Sequence, residues 1–267
     1  MRPNLLLSED HSPFPTSIFS KLLSENDIEH ISLTSSDLHE NEDWMNLDLL
    51  ILTGHDEYWS QNIRNNVTRF LNKGGNLAVF SGNTSFRTFE INGNNYKRTN
   101  HWDFIKPVEE IIGLTTRYGG FPARQESKPF FENSEFFSIK DFNNRKGMKI
   151  LDSSHFIFRD TGLKDGDYLG LESELVCYEI DGAPLDPVTH NLNYKIKPKA
   201  KPIYSNEDFN SVQNKFPLKM KPLASSFLNF FGVDDPIYVA SLIEAVVGKG
   251  KVINGGSVGW YRSIDKN

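Results

Sequence analysis

The amino-acid sequence predicts an α/β fold built on a parallel sheet flanked by helices. Three observations lead there: a nearly continuous apolar run from Asp48 to Thr53 (DLLILT), helical periodicity from about Gln61 to Asn72, and a second apolar run from Asn76 to Phe80 (NLAVF). Apolar runs of this kind, without polar alternation, are the pattern of strands covered on both faces. Strand, helix and strand spaced this closely make a βαβ unit and therefore a parallel pair. Ile63, Val67, Phe70 and Leu71 share one face of the helix. Ser60 is placed to cap its start, and Gly74 to supply the left-handed residue after its end.

The other elements follow from the same rules. Pro15 can open a helix in which Ile18, Phe19, Leu22 and Leu23 recur at helical spacing until Asn26. Ile28 to Leu33 reads as a short strand. Thr88 to Lys97, with an Asn92-Gly93 turn signal, predicts a hairpin. Arg98 to Gly147 is rich in aromatics, glycine and asparagine with little periodicity, which predicts ordered loops and a few short elements. Glu174 to Ile180 (ELVCYEI) reads as a strand ending at Asp181-Gly182, and Tyr194 to Lys201 as a basic loop. Ser241 to Val247 and Lys251 to Ile253 flank Gly248-Lys249-Gly250 as a hairpin, with helix open as a rival reading of the first arm. No internal repeat or linker divides the sequence. The expectation is a single domain over residues 1–267, with an aromatic-rich insertion at about 86–150.

Composition narrows the function classes. Of 267 residues, 38% are hydrophobic and 24% charged, a globular balance. Lys plus Arg number 29 against 35 Asp plus Glu, a formal net charge of -6, so the basic footprint of a general nucleic-acid binder is missing. One cysteine, Cys177, excludes an internal disulfide and a multi-cysteine metal knot, and its mid-strand setting predicts a small core residue. No HExxH and no phosphate-loop glycine pattern occurs. No apolar run approaches a membrane span, so the expected location is cytoplasmic, without membrane or nucleic-acid partners.

Chemistry concentrates in Gly54-His55-Asp56-Glu57-Tyr58-Trp59-Ser60, directly after the first apolar strand. In open parallel sheets, ligands bind outside the carboxyl ends of the strands. An imidazole, two carboxylates and a phenol in one turn can transfer protons, ligate a metal or recognise a polar substrate. Spacing alone leaves a second reading open, in which Asp56 and Glu57 decorate a helix N-terminus and His55 and Trp59 pack. The companion turn, Ser81-Gly82-Asn83-Thr84, ends the neighbouring strand and should face the first. Its Gly82 permits close backbone approach, and Asn83 and Thr84 offer donors and acceptors. Glu179 stands between apolar residues; on an exposed sheet face it is unremarkable, but buried it would need a cation or a metal.

These motifs, together with Lys73-Gly74-Gly75-Asn76, His155-Phe156-Ile157-Phe158, Thr161-Gly162-Leu163-Lys164-Asp165-Gly166-Asp167, Val176-Cys177-Tyr178-Glu179-Ile180-Asp181, Leu223-Ala224-Ser225-Ser226 and Gly250 to Ser257 with Trp260, resemble the C-terminal domain of the N,N-dimethylformamidase large (beta) subunit family. The resemblance spans most of the chain and does not include the family's N-terminal β-sandwich region. It implies a flavodoxin-like, class I glutamine-amidotransferase-like core. True amidotransferases carry a cysteine nucleophile on the turn that here holds Asn83, so the resemblance does not imply cysteine acyl-enzyme chemistry.

The resemblance further implies an amidohydrolase acting on a small C–N bond, with a mononuclear iron held by two tyrosines and a glutamate. Carried onto this sequence, Tyr58 and Glu179 are metal ligands, and His55, Glu57 and Asn83 are catalytic. Asp56, Thr84 and Trp102 contact the substrate. Phe86 stands where the family often has tyrosine, and a phenyl ring cannot bind iron; Tyr96, Tyr118 or Tyr178 would have to replace it. A small-molecule substrate and a homo-oligomer or partner subunit are also implied. A rival from another class is a non-catalytic module for a sugar or other polar metabolite, with Trp102, Phe104, Tyr118 and Phe121 as a stacking wall.

Overall fold

The computed structural model describes residues 17–40, 42–92, 95–102, 105–120, 147–177, 179–198, 212–228 and 238–264, and only the backbone of residues 91, 92, 95, 96, 100 and 101. Strand β1 (Leu49–Gly54) and strand β3 (Asn76–Ser81) lie side by side and parallel, paired from Leu49↔Asn76 to Gly54↔Ser81. Helix α3 (Gln61–Lys73) crosses between them. The Ser60 hydroxyl accepts the Ile63 N–H at 3.2 Å, and Gly74 closes the helix at φ 110°. A side chain at that left-handed angle would be strained, which is why glycine stands there. The βαβ unit is therefore the one the sequence predicts.

The sheet as a whole is mixed, which corrects the expected parallel sheet. Its remaining strands are β6 (Met148–Ile150), β7 (Tyr168–Leu169), β9 (Lys219–Leu228), β10 (Tyr238–Val247) and β11 (Gly250–Asn254), in the order β1-β3-β11-β10-β9-β6-β7. Only β1, β3 and β11 run parallel; β10, β9, β6 and β7 pair antiparallel. The reason is local: Val247 pairs with Gly250, so Gly248-Lys249 is a two-residue hairpin turn, with Gly248 at φ 60°. A turn this short reverses chain direction, whereas a parallel pair needs a crossover. The arm over Ser241 to Val247 is accordingly strand, not helix.

A second sheet of three strands joins β2 (Tyr58–Trp59) to the predicted hairpin, β4 (Arg87–Asn92) and β5 (Asn95–His101). Asn92 pairs with Asn95 at its tip; the turn residues 93 and 94 lie outside the described residues. Helix α1 (Ser17–Glu25) has its predicted periodicity, while Pro15 lies outside the described residues. The short helices are α2 (Ser35–Glu40), α4 (Glu109–Ile112), α5 (Thr116–Gly119) and α6 (Trp260–Ile264). Within the expected insertion, residues 121–146 lie outside the described residues.

Three local expectations are corrected. Residues 28–33 are irregular: Ile28 donates back to Leu23 O to close α1, and Ile28 and Ile31 are more than half exposed, so no sheet pairing or burial fixes a strand there. β1 is an edge strand with Leu50 and Leu52 buried but Leu49 46% exposed, so it is not covered on both faces. Residues 174–177 and 179 form no strand. Leu175 O instead accepts the Ser257 hydroxyl at 2.6 Å, and Glu179 O accepts Val258 N–H at 3.3 Å, so the backbone of this segment is satisfied by the 255–258 loop. Only β8 (Ile180–Gly182) is extended.

The core falls into two clusters. One joins Trp44, Ile63, Phe70, Leu77, Ile112 and Val252; the other joins Met148, Ile150, Leu175, Ile180, Leu223 and Leu242. Burying each such side chain contributes about 1.5–3 kcal/mol before entropy is charged against it. Cys177 is buried, as a small core residue should be. Among the described residues no helix is long and apolar enough to cross a membrane.

Candidate active site

The tips of β1 and β3 meet where the sequence places its two polar turns. Asp56 N–H donates to Ser81 Oγ at 3.1 Å, and Ser85 N–H to Asp56 O at 2.8 Å, which ties the turns together. The segment preceding β8 docks on this seam. An added Cβ on Gly82 would sit 2.2 Å from Glu179 O, so glycine is what lets the Glu179 backbone approach.

That approach delivers Glu179 to His55. The carboxylate Oε2 hydrogen-bonds the imidazole Nε2, and Glu57 Oε2 lies 3.8 Å from the same nitrogen. Glu179 is buried, and His55 and Glu57 are mostly so. Burial pulls the His55 pKa down. The hydrogen bond from Glu179 and the charges of Glu179, Glu57 and Asp56 outweigh it, leaving the imidazole above its usual value. Burial likewise raises Glu57, against the pull of His55 and of Arg87, whose Nε is 3.6 Å from Glu57 Oε1.

The remaining site residues surround this pair. Asp56 accepts the Trp59 indole N–H at 2.8 Å, and burial pushes its pKa up to about 6. Asn83 and Thr84 are buried at the β3 tip, with Thr84 N–H donated to Asp181 Oδ2 at 3.0 Å. Trp102 is placed elsewhere: its ring is in the core, 4.7 Å from the Arg64 guanidinium, and its N–H goes to Trp59 O. Tyr118 is also in the core, its hydroxyl donating to Ile196 O at 2.9 Å and accepting from Asn214 at 2.7 Å. Neither ring offers an exposed face for stacking; residues 104 and 121 lie outside the described residues.

Among the described residues, no group of three or more His, Cys, Asp or Glu is arranged to hold a metal ion. The Tyr58 phenol hydrogen-bonds Glu57 and Arg98, and burial first, then the Glu57 charge, holds its pKa above the usual value, which opposes phenolate formation. Phe86 has no donor, Tyr178 lies outside the described residues, and so does the Tyr96 side chain.

Two participants were not among the residues singled out from sequence. Asp181 is fully buried, with its pKa pushed to about 6 by burial. Thr116 bonds both Asp181 and Asn83. For Asp181 a signal existed: Glu179 and Asp181 are two apart, and extended chain puts such residues on one face. For Thr116, a lone threonine in an aperiodic stretch, none did.

The site is a buried carboxylate–imidazole pair beside the carboxyl ends of parallel strands, with a second carboxylate close by, in an α/β protein. The chain belongs to the family described as N,N-dimethylformamidase beta subunit-like, C-terminal, which matches residues 16–267. A comparison with curated proteins gives no match. The family is dimethylformamidase-related, so at that level the chemistry is amidohydrolase-like.

Proposed function

We propose that this chain hydrolyses a small amide, with His55 moving the protons and Glu179 and Glu57 supporting it. The observation that supports the reading is the His55–Glu179 hydrogen bond at the joined strand tips. Amide hydrolysis needs a base for water, a donor for the carbonyl oxygen and an acid for the leaving nitrogen. His55 takes a proton from water as its oxygen bonds to the carbonyl carbon, and Glu179 stabilises the imidazolium. The C–N bond then breaks, and the same proton passes to the departing amine. Asn83 offers its amide hydrogens to the carbonyl oxygen. Asp56 and Thr84 border the substrate, while Glu57 holds Arg87 and the Tyr58 hydroxyl beside the pair.

The parallel β1–β3–β11 part supports an amidotransferase-like ancestry for the core, with the antiparallel strands as elaboration. The family is named for a beta subunit, which supports a partner subunit as part of the proposal.

Formamide, N-methylformamide and N,N-dimethylformamide form the test panel, with amine or ammonia release as the readout. Turnover supports the reading, and its absence from the whole panel rejects it. Iron is a separate arm. Bound iron with a tyrosinate-to-iron absorption band that vanishes in Tyr58→Phe supports iron on Tyr58. A preparation that takes up no iron rejects it and leaves the proton chemistry standing.

A further inference from the structure

We propose that Thr116 is a positioning residue for Asn83: its hydroxyl, braced by Asp181, fixes which way the Asn83 side-chain amide points at the tip of β3. The inference rests on the reading that Asn83 serves a substrate carbonyl, and its test can fail independently of that reading.

Thr116 reaches the site by a specific route. Thr115 bridges Gly182 and Gly120 bridges Ile180, which clamps the turn containing α5 across β8 and sets Thr116 against Asp181. Gly119 makes this clamp possible, since an added Cβ there would lie 1.9 Å from Ile180 O. Thr116 Oγ1 is then 2.6 Å from Asp181 Oδ1 and 3.0 Å from Asn83 Oδ1, and its single hydrogen is shared between these two acceptors. The other Asp181 oxygen takes the Thr84 N–H. All four residues are at most 5% exposed.

The turn they hold is strained. Asn83 has φ 57° and Ser85 φ 53°, the left-handed region that side chains disfavour. Such a backbone persists where its surroundings over-determine it, and Asp181 and Thr116 do that from one side. An asparagine amide has one accepting and one donating end. With its oxygen turned to Thr116, Asn83 keeps its amine hydrogens for another acceptor, the polarity a carbonyl oxygen requires. Valine at residue 116 would keep the shape and lose the anchor; serine would keep the anchor.

The full chain labelled with ¹⁵N-asparagine reads this directly. The Asn83 side-chain signal is assigned by its loss in Asn83→Asp, and solvent exchange of its amine hydrogens is compared across variants. Thr116→Val should speed that exchange about tenfold, because an Asn83 amide no longer anchored through its oxygen can swing its amine hydrogens towards solvent, and Thr116→Ser should restore it. On an amide that the wild type hydrolyses, Thr116→Val should lower kcat with little change in KM, again restored by serine. If Thr116→Val does not fold, Asp181→Asn must produce the same acceleration. Exchange that is insensitive to these variants overturns the proposal. Sensitive exchange in a protein inactive on every amide leaves the positioning role intact and removes the amidohydrolase reading.

Discussion

The Glu179 carboxylate and the His55 imidazole, 124 positions apart in the chain, are hydrogen-bonded at the seam between two strand tips. The pairing is a consequence of backbone geometry. Gly82 lets the Glu179 backbone close on β3, Val258 N–H holds Glu179 O, and the left-handed Gly54 (φ 78°) turns the chain from β1 into His55. Electrostatics at this pair give the first prediction.

His55 should titrate above the usual histidine value, by imidazole NMR. In Glu179→Gln the midpoint should fall by at least about one unit, because burial is then opposed by less negative charge. The linked stability has a definite sign. A raised histidine stabilises the fold fully below its unfolded value near 6.5, and that contribution is lost as pH rises through the higher folded value. A midpoint that does not move in the variant would disprove the assignment.

Gly82→Ala should destabilise the protein by about 1–3 kcal/mol, the usual cost of overpacking a tight interior site. The atoms that the new methyl meets first are Glu179 O and C, which cannot rotate aside as a side chain would. Denaturant unfolding measures the loss, and the His55 midpoint should shift with it as Glu179 is displaced.

Asp56→Asn isolates a buried carboxyl. Its folded pKa of about 6 exceeds the ordinary aspartate value of 3.8, so the folded state binds the proton more tightly. As pH falls from above 6 towards 3.8, wild type should therefore gain stability relative to the variant. The total is of order 1–3 kcal/mol, and the change should level off below the unfolded value. Paired denaturant curves at several pH values test this, and a pH-independent difference would contradict it.

Ser60→Ala should cost about 1 kcal/mol by removing the cap of α3. The same hydroxyl lies 2.7 Å from His39 Nδ1, so the variant also releases α2 from the start of α3. Thermal unfolding should show the loss, with the His55 titration unchanged.

The parts of this molecule legible in sequence are those governed by local rules. Ser60, Gly74 and the face of Ile63, Val67, Phe70 and Leu71 announce α3, and the two apolar runs announce β1 and β3. Asn92-Gly93 announces the β4–β5 hairpin. What sequence conceals is non-local. ELVCYEI has strand composition, yet Leu175 O, Cys177 N–H and Glu179 O bond to Ser257 and Val258, eighty residues on, while Glu174 and Leu175 N–H turn back to Leu171 and Gly170. The reversal at Gly248-Lys249 is legible, but the addition of β9, β6 and β7 to the same sheet rests on long-range pairing, which no short-range pattern carries. The positions of His55, Glu57 and Asn83 at the strand tips are legible because each follows an apolar run by only a few residues. Thr116 was invisible because its importance comes only from facing Asp181.

The central claim is that the His55–Glu179 pair transfers protons in amide hydrolysis. The most direct test is kcat/KM for the best small amide in wild type and Glu179→Gln, with thermal stability followed in parallel. The account predicts a fall of about a hundredfold or more at near-constant stability, the usual size of a lost general acid–base contribution. Undiminished hydrolysis by a folded Glu179→Gln protein would contradict it.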